Sequence, residues 1–191
     1  MPTVDSTQLI KDLREKTGAG MMDCKRALDE AKGDFSAALT VLRKKGMADA
    51  AKKSARATKE GAVAFKVSGS TGAIIEINSE TDFVAKGADF QDMVKSLVEK
   101  AACGEIKSLE SANEQWVKPL IGKLGENMAL RRFDRFELKG HGLVAGYAHQ
   151  TDPAVPAKKG ALIEISTTSA DAAQSPEVAQ LAKELLLQIV G

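Results

Sequence analysis

The spacing of apolar residues changes at Gly61, and this change limits the class of fold that the chain can adopt. Before it, apolar residues recur three and four positions apart, which is the period of an amphipathic helix. After it, Val63, Phe65 and Val67 alternate with smaller or charged residues, which is the period of a strand. The sequence therefore predicts an α+β fold, with a helical part first and sheets with helices after it.

Three short helices are predicted within residues 1–46. A weak capping box at Asp5 and Gln8 begins the first helix, and the TGAG segment, residues 17–20, ends it. Gly33 is placed to end the second helix. The apolar faces are formed by Leu9, Ile10 and Leu13, then Met22, Ala27, Leu28 and Ala31, then Phe35, Ala38, Leu39 and Leu42. Three such helices can pack as a compact bundle.

Asp34 is expected to cap the third helix, and Gly46 is expected to end it. The next segment, residues 47–60, is rich in alanine and lysine and has few large apolar residues. It is predicted to be a solvated linker helix.

The rest of the chain contains two similar units. GAIIEINSETD, from Gly72, is echoed by GALIEISTTSAD, from Gly160, and a helical pattern follows each. The repetition indicates an ancient duplication. We therefore expect a core of two related subdomains, each an antiparallel sheet with a helix, over residues 61–126 and 127–191.

INSETDFVAK, residues 77–86, places an aromatic residue at a strand-to-helix corner. Thr81 or Asp82 is suited to cap the following helix, but capping does not account for Phe83. The second unit has STTSADAA at the equivalent place, without a bulky apolar residue. An aromatic residue among small polar ones is typical of an interface anchor, so we predict that Phe83 lies on the surface.

The adjacent residues Met21 and Met22 stand at a helix start. Neighbouring helical residues point about 100° apart, so both cannot lie at the centre of a small core. One of them is expected to be exposed. Exposed methionine suits an adaptable partner surface, and loose packing beneath the TGAG loop is an equally good interpretation.

The sequence contains no constellation typical of catalysis or of metal binding. GxSxG, HExxH and CxxC are absent, and the loop at Gly18 lacks the Lys-Ser/Thr pair of a phosphate-binding loop. His141 and His149 are the only two histidines, one in a turn and one at a strand end, which makes a poor metal site. The sequence therefore predicts a protein that is not an enzyme and holds no cofactor or metal.

Charge and cysteine content limit the partners and the compartment. The formal net charge is +1, which does not indicate bulk polyanion binding. The basic run over residues 43–59 has no interleaved aromatics, so a solvated face is favoured over a nucleic-acid site. Cys24 and Cys103 form no disulfide scaffold, and the first residues include no apolar signal region. A reducing, cytoplasm-like compartment is expected.

Four segments resemble the bacterial-type elongation factor Ts family, the guanine-nucleotide exchange factors of elongation factor Tu. They are LREKTGAGMMDCKRALDEAKGD, INSETDFVAK, KLGENMALRRF and YAHQ, in that order along the chain. The resemblance implies a three-helix bundle like the ubiquitin-associated (UBA) domain, followed by a core of two related subdomains. It also implies a cytoplasmic protein, or one in the matrix or stroma of a bacterially derived organelle.

In this family, the TDFV corner enters the partner GTPase at its nucleotide site. The resemblance implies that the corner displaces groups supporting the partner's Mg²⁺, which weakens GDP binding. The residues concerned are Thr81, Asp82, Phe83 and Val84, with Asp82 and Phe83 as the main wedge. Further contacts with elongation factor Tu are implied at Met21, Met22, Lys25, Leu124, Gly125 and His149.

Longer members of the family continue past the helix that ends near residue 190, so we expect a C-terminally short form, a fragment or a shortened chain. Exchange activity is still expected, because the TDFV corner is present. Some short members dimerise, and the resemblance leaves open whether this chain forms a homodimer. Two other functions are compatible with the sequence: a UBA-like adaptor that binds partners through its bundle, and a small nucleic-acid-binding protein that uses residues 43–59.

Overall fold

The computed structural model describes residues 6–150, 152 and 154–191, and it begins with three helices. These are α1 (Ser6–Thr17), α2 (Met21–Glu30) and α3 (Phe35–Lys53). The strands are β1 (Glu60–Ser68), β2 (Thr71–Ser79), β3 (Met128–Glu137), β4 (His141–His149) and β5 (Lys159–Thr167). The remaining helices are α4 (Asp82–Lys86), α5 (Ala88–Ala102), α6 (Leu109–Ala112), α7 (Lys118–Leu124), α8 (Ala170–Ala173) and α9 (Pro176–Val190). The predicted α+β class is confirmed.

The first three helices enclose a core of their own. Its buried members are Leu13, Cys24, Ala27, Leu28, Ala38 and Leu42. The carboxylate of Asp34 accepts a hydrogen bond from the Ala37 N–H at 2.7 Å, which confirms the predicted cap of α3. The cap predicted at Asp5 lies outside the described residues. Burial raises the pKa of the Cys24 thiol, so this cysteine is a packing residue rather than a reactive one.

Helix α3 does not end at Gly46, so the predicted stop was wrong. The helix continues to Lys53. Gly46 lies against Gly122 of α7, and a Cβ added to Gly122 would lie 3.4 Å from the Gly46 Cα. The two glycines let α3 and α7 approach closely, and this packing offsets the low helix propensity of glycine. Ala50 is buried in the main core. The segment predicted as a solvated linker helix over residues 47–60 is therefore exposed only in part, and it is helical only as far as Lys53.

Strands β1, β2 and β3 form one antiparallel sheet, with β2 in the middle. Helix α5 covers one face of it, and Phe90 and Leu97 of that helix are buried with Ile75 and Ile77 of β2. Since β3 pairs with β2, the sheet extends past residue 126, where the sequence places the end of the first subdomain. The exact division of the chain stays a prediction.

The helix before β3 contains a wider turn. Residues Asn113–Val117 are π-helical, and Pro119 lies at the start of α7. Because proline lacks an N–H and its ring crowds the preceding turn, it is tolerated only where a regular helix begins. The Asn113 side chain pairs with the Leu130 backbone of β3, accepting from its N–H at 2.8 Å and donating to its carbonyl at 2.9 Å. These bonds attach the π-helical segment, which leads into α7, to the sheet.

Strands β4 and β5 form a second, two-stranded antiparallel sheet. Helix α9 packs on it through Leu186 and Val190. Its N-cap is Ser175, whose hydroxyl accepts from the Val178 N–H at 3.3 Å. Gly146 of β4 lies so close to the Phe65 ring of β1 that no side chain would fit there. The two sheets are therefore in direct contact. Within the described ranges, no helix has the length and apolar content that a membrane span requires.

Candidate functional site

Phe83 has the most exposed large apolar side chain of the described residues, with 83% of its surface accessible. It lies in α4, the single helical turn that follows β2. The next two residues point inward, since Ala85 is buried and Val84 packs against the main core. The predicted surface position of Phe83 is confirmed. We call residues 79–86 the first corner.

Thr81 fixes the geometry of the first corner. Its hydroxyl oxygen accepts a hydrogen bond from the Val84 N–H at 3.3 Å, so Thr81 is the N-cap of α4. The Thr81 carbonyl accepts from the Ser79 hydroxyl at 3.0 Å. Of the two residues predicted as caps, Asp82 is not the one used. Its carboxylate instead accepts from the Lys86 ammonium at 2.7 Å.

The Asp82–Lys86 ion pair spans the exposed side of α4. The hydrogen bond from Lys86 lowers the pKa of the Asp82 carboxyl, and the same bond raises the pKa of Lys86. Both groups are therefore charged around neutral pH. Asp82 is thus engaged by its own chain, whereas the ring of Phe83 projects into solvent.

Residues 124–127, which are the last residue of α7 and the loop after it, lie directly beside the first corner; we call them the 124–127 loop. Glu126 accepts the Thr81 N–H with Oε2 at 3.0 Å and the Thr81 hydroxyl with Oε1 at 2.6 Å. Gly125 ends α7 with a φ of +78°, a left-handed conformation that glycine adopts without strain. Leu124 is half-buried against the main core. The structure thus brings Leu124 and Gly125 next to the corner residues.

A further hydrogen bond joins the same two segments, but here the acceptor lies in the corner and the donor lies in the 124–127 loop. Glu80 of the corner accepts the Asn127 N–H with Oε1 at 2.6 Å, and the Asn127 amide donates to the Arg56 carbonyl at 2.8 Å. Sequence reasoning missed Glu80, Glu126 and Asn127. The available signal was their position, since Glu80 lies within SETDFV and the other two lie within KLGEN.

Met21 and Met22 are both exposed, at 59% and 62% of their surface, whereas the sequence predicted only one exposed. The buried side of α2 begins at Cys24, so the small bundle leaves the first turn of this helix uncovered. Lys25 is exposed on the same helix. Together these side chains form a mixed apolar and basic patch on the bundle.

The bundle is joined to α7, the helix that leads into the 124–127 loop. Gly18, with a φ of +65°, lies against the aliphatic part of the Lys123 side chain. The Lys123 ammonium in turn pairs with Asp89 at the start of α5, at 2.5 Å. The bundle therefore contacts α7, the helix that leads toward the first corner.

His149 is exposed at the end of β4, and its Nδ1 lies 3.1 Å from the Tyr147 hydroxyl. It pairs with Lys159 across the second sheet. The neighbouring Lys158 forms an ion pair with Glu60, the first residue of β1. Since β1 begins beside the end of β2, His149 and the first corner lie at the same end of the molecule.

The first corner is a projecting surface rather than a pocket. Two clefts of about 790 and 890 Å³ are lined by other parts of the chain, and neither includes a residue of the corner or of the 124–126 segment. The described residues contain no group of three or more His, Cys, Asp or Glu side chains that could hold a metal ion. An exposed ring on a fixed turn can insert into a partner, but it cannot enclose a small ligand.

Comparison with known proteins gives consistent matches. Residues 80–191 match the family model described as Elongation factor TS. Curated proteins named Elongation factor Ts are 40% identical in Rickettsia africae, 40% in Rickettsia felis and 41% in Symbiobacterium thermophilum. Each alignment covers 97% of this chain and 61–62% of the relative. The chain therefore spans less than two thirds of the length of these relatives.

Proposed function

The chain belongs to the elongation factor Ts family, and on this premise we propose that it binds GDP-bound elongation factor Tu and promotes the release of GDP. The observation that carries the proposal is the exposed ring of Phe83 on a turn whose backbone is held by hydrogen bonds. A large apolar side chain in water at a rigid position is the form that an interface anchor takes.

In the proposed mechanism, Phe83 leaves water and enters the partner beside its nucleotide site. Burial of a phenylalanine side chain contributes about 1.5–3 kcal/mol. This contribution stabilises a partner conformation in which the groups supporting Mg²⁺ are displaced. Because the metal offsets the charge of the diphosphate, its displacement weakens GDP binding. Thr81, Asp82 and Val84 form the turn that carries the ring.

Linkage makes the effect reciprocal. If the chain weakens GDP binding, GDP weakens binding of the chain by the same factor. A ternary complex therefore loses GDP, and incoming GTP then releases the chain. No covalent bond is made or broken in these steps, so the chain acts as an exchange factor rather than as an enzyme.

We also propose that three further surfaces bind the same partner. These are the 124–127 loop with Leu124 and Gly125, the strand end at His149, and the bundle patch of Met21, Met22 and Lys25. The first two support the proposal because they lie at the same end of the molecule as Phe83. The compartment proposed is the cytoplasm, or the matrix or stroma of a bacterially derived organelle.

A second candidate function is an adaptor that binds partners through the bundle alone. The exposure of both Met21 and Met22 favours it, because exposed methionines form adaptable binding surfaces. The adaptor hypothesis gives Phe83 no role. The exchange proposal accounts for both surfaces, so we rank it first.

Stopped-flow release of fluorescent GDP from a bacterial elongation factor Tu tests the proposal. Adding the intact chain should accelerate release, and the rate should saturate as the chain concentration rises. Raising the Mg²⁺ concentration should reduce the acceleration. A complex that forms without any acceleration of release would contradict the exchange proposal and favour the adaptor.

A further inference from the structure

Two glutamates connect the first corner to the 124–127 loop in opposite directions. Glu80 extends from the corner and accepts the backbone N–H of Asn127 at 2.6 Å. Glu126 extends from the loop and accepts both the N–H and the hydroxyl of Thr81, at 3.0 and 2.6 Å. Each segment thus places a carboxylate on the backbone of the other. Hydrogen bonds to a carboxylate are stronger than those between neutral groups.

The bonds from Glu126 complete the hydrogen bonding of Thr81. Its N–H and hydroxyl hydrogen reach Glu126, and its hydroxyl oxygen accepts from the Val84 N–H. Its carbonyl accepts from the Ser79 hydroxyl at 3.0 Å and from the Ala85 N–H at 3.2 Å. The backbone two residues before the exposed ring is therefore fixed, so the ring keeps only its own side-chain torsions.

The second strand-to-helix corner, residues 167–173, provides an internal comparison. Its cap, Ser169, accepts from the Ala172 N–H at 3.2 Å, and its carbonyl accepts from the Thr167 hydroxyl at 2.9 Å. Within the described part of the chain, no side-chain acceptor is found for the Ser169 N–H. This second corner forms without a carboxylate on its cap, so the carboxylates of the first corner are additional to what the turn itself requires.

We propose that Glu126, together with Glu80, is a positioning latch that holds the first corner in the geometry in which Phe83 works. The inference rests on the proposed exchange function. The latch fixes the ring relative to Leu124 and Gly125 before the partner is met, so the entropy of ordering the turn is not lost on binding. Neither glutamate needs to touch the partner for this effect.

The test compares Glu126→Ala with the intact wild-type chain in GDP release from elongation factor Tu. We expect the maximal release rate to fall about tenfold, because the loss of charge-assisted hydrogen bonds frees the turn. The half-saturating concentration should change less, because the other contact surfaces remain. Glu137→Ala is the matched control, since Glu137 forms an ion pair with Arg135 in the first sheet and lies opposite Thr71, at the far end of β2 from the first corner.

Rescue by a conservative variant separates positioning from direct contact. Glu126→Gln keeps the shape of the side chain and one carbonyl oxygen that can accept the Thr81 N–H. It should restore the maximal rate to within about threefold of wild type, a loss on the scale of a single neutral hydrogen bond. If Glu126→Gln is as slow as Glu126→Ala, a neutral acceptor of the same shape does not hold the turn, and the latch as proposed is overturned.

The amide resonance of Thr81 gives a readout that does not depend on exchange. In the wild-type free chain it should lie downfield, as expected for an N–H that donates to a carboxylate, and it should move upfield in Glu126→Ala. The proposal is overturned if the resonance does not move, or if the Glu126→Ala variant promotes GDP release as fast as wild type.

If Glu126→Ala does not fold, Glu126→Asp tests the same bonds because its side chain is shorter by one methylene. If the wild-type chain does not accelerate GDP release from elongation factor Tu, the proposed function is wrong. The latch then has no role in exchange, whatever the Thr81 resonance shows.

Discussion

The chain turns from a strand into a helix at two corners that are built in the same way. In each, the cap hydroxyl accepts an N–H three residues later, and the cap carbonyl accepts a hydroxyl from two residues earlier. The bonds are Thr81–Val84 at 3.3 Å and Ser79–Thr81 at 3.0 Å, then Ser169–Ala172 at 3.2 Å and Thr167–Ser169 at 2.9 Å. This register places Phe83 and Asp171 at equivalent positions, two residues after the cap.

The residue at this position differs between the two corners, and the difference shows whether the turn itself requires an aromatic side chain. Asp171 is the ordinary choice, because a carboxylate in the first turn of a helix is stabilised by the exposed N–H groups there. Phe83 gains nothing comparable, since 83% of its surface is in water. The second corner shows that the turn forms without an aromatic residue. We therefore propose that the ring serves a contact outside the chain.

The largest effect is expected from truncating each corner at this position. Phe83→Ala should lower the maximal rate of GDP release about 10- to 100-fold, which corresponds to the burial of one phenylalanine side chain. Asp171→Ala should leave that rate within about twofold of wild type, as for a surface substitution away from the contact. Both variants should keep the wild-type circular dichroism spectrum. Equal losses in the two variants would remove the distinction between the corners.

The two caps should differ in their contribution to stability. Ser169→Ala should cost about 1 kcal/mol, the usual value for the loss of an N-cap. Thr81→Ala should cost about 2–3 kcal/mol, because it also removes the hydroxyl that donates to Glu126. Urea unfolding followed by circular dichroism measures both values. If the costs are the same, the bond to Glu126 adds nothing to the free energy of unfolding.

Installing the aromatic in the second corner should change little. We expect Asp171→Phe to alter the free energy of unfolding by about 1 kcal/mol or less, because the position is exposed and only a favourable helix-terminus charge is lost. The variant should not accelerate GDP release beyond wild type. Thermal unfolding and the fluorescent GDP assay check the two parts. A large destabilisation would show that the two corners are less alike than their hydrogen bonds indicate.

The smallest effect concerns the Asp82–Lys86 ion pair of the first corner. Because the pKa of Asp82 is lowered in the folded chain, its carboxylate stabilises the fold above the ordinary aspartate pKa. This contribution to the free energy of unfolding is lost as the pH falls through the lowered pKa. Because the pKa of Lys86 is raised, the contribution of its ammonium group to the free energy of unfolding is lost as the pH rises through the raised pKa. An NMR titration of the Asp82 carboxyl should show its pKa rising in Lys86→Gln. An unchanged titration would mean that the pair does not form in solution.

Much of this comparison could be read from the sequence, because it depends on local rules. The echo of GAIIEINSETD in GALIEISTTSAD, the cap at Asp34 and the exposure of Phe83 all follow from short-range pattern and chemistry. The prediction that Gly46 ends a helix failed because the deciding contact, with Gly122, is remote in sequence. A local propensity cannot indicate which partner a glycine will meet.

The carboxylates around Thr81 were missed for a similar reason. Glu80 and Glu126 are ordinary acidic residues in their own segments, and their meaning arises only when the fold brings the segments together. The exposure of both Met21 and Met22 was underestimated, because the sequence indicates two faces of a helix but not how much of its first turn the bundle covers.

The proposed insertion of Phe83 beside the partner's nucleotide site is tested most directly with a photo-crosslinking phenylalanine analogue at position 83, and in a second variant at position 171. Each is irradiated in the complex with nucleotide-free elongation factor Tu, and the crosslinked peptides are identified by mass spectrometry. We predict that position 83 crosslinks to segments bordering the partner's nucleotide site and that position 171 does not. Efficient GDP release by a chain whose position 83 never crosslinks to the partner would contradict this prediction.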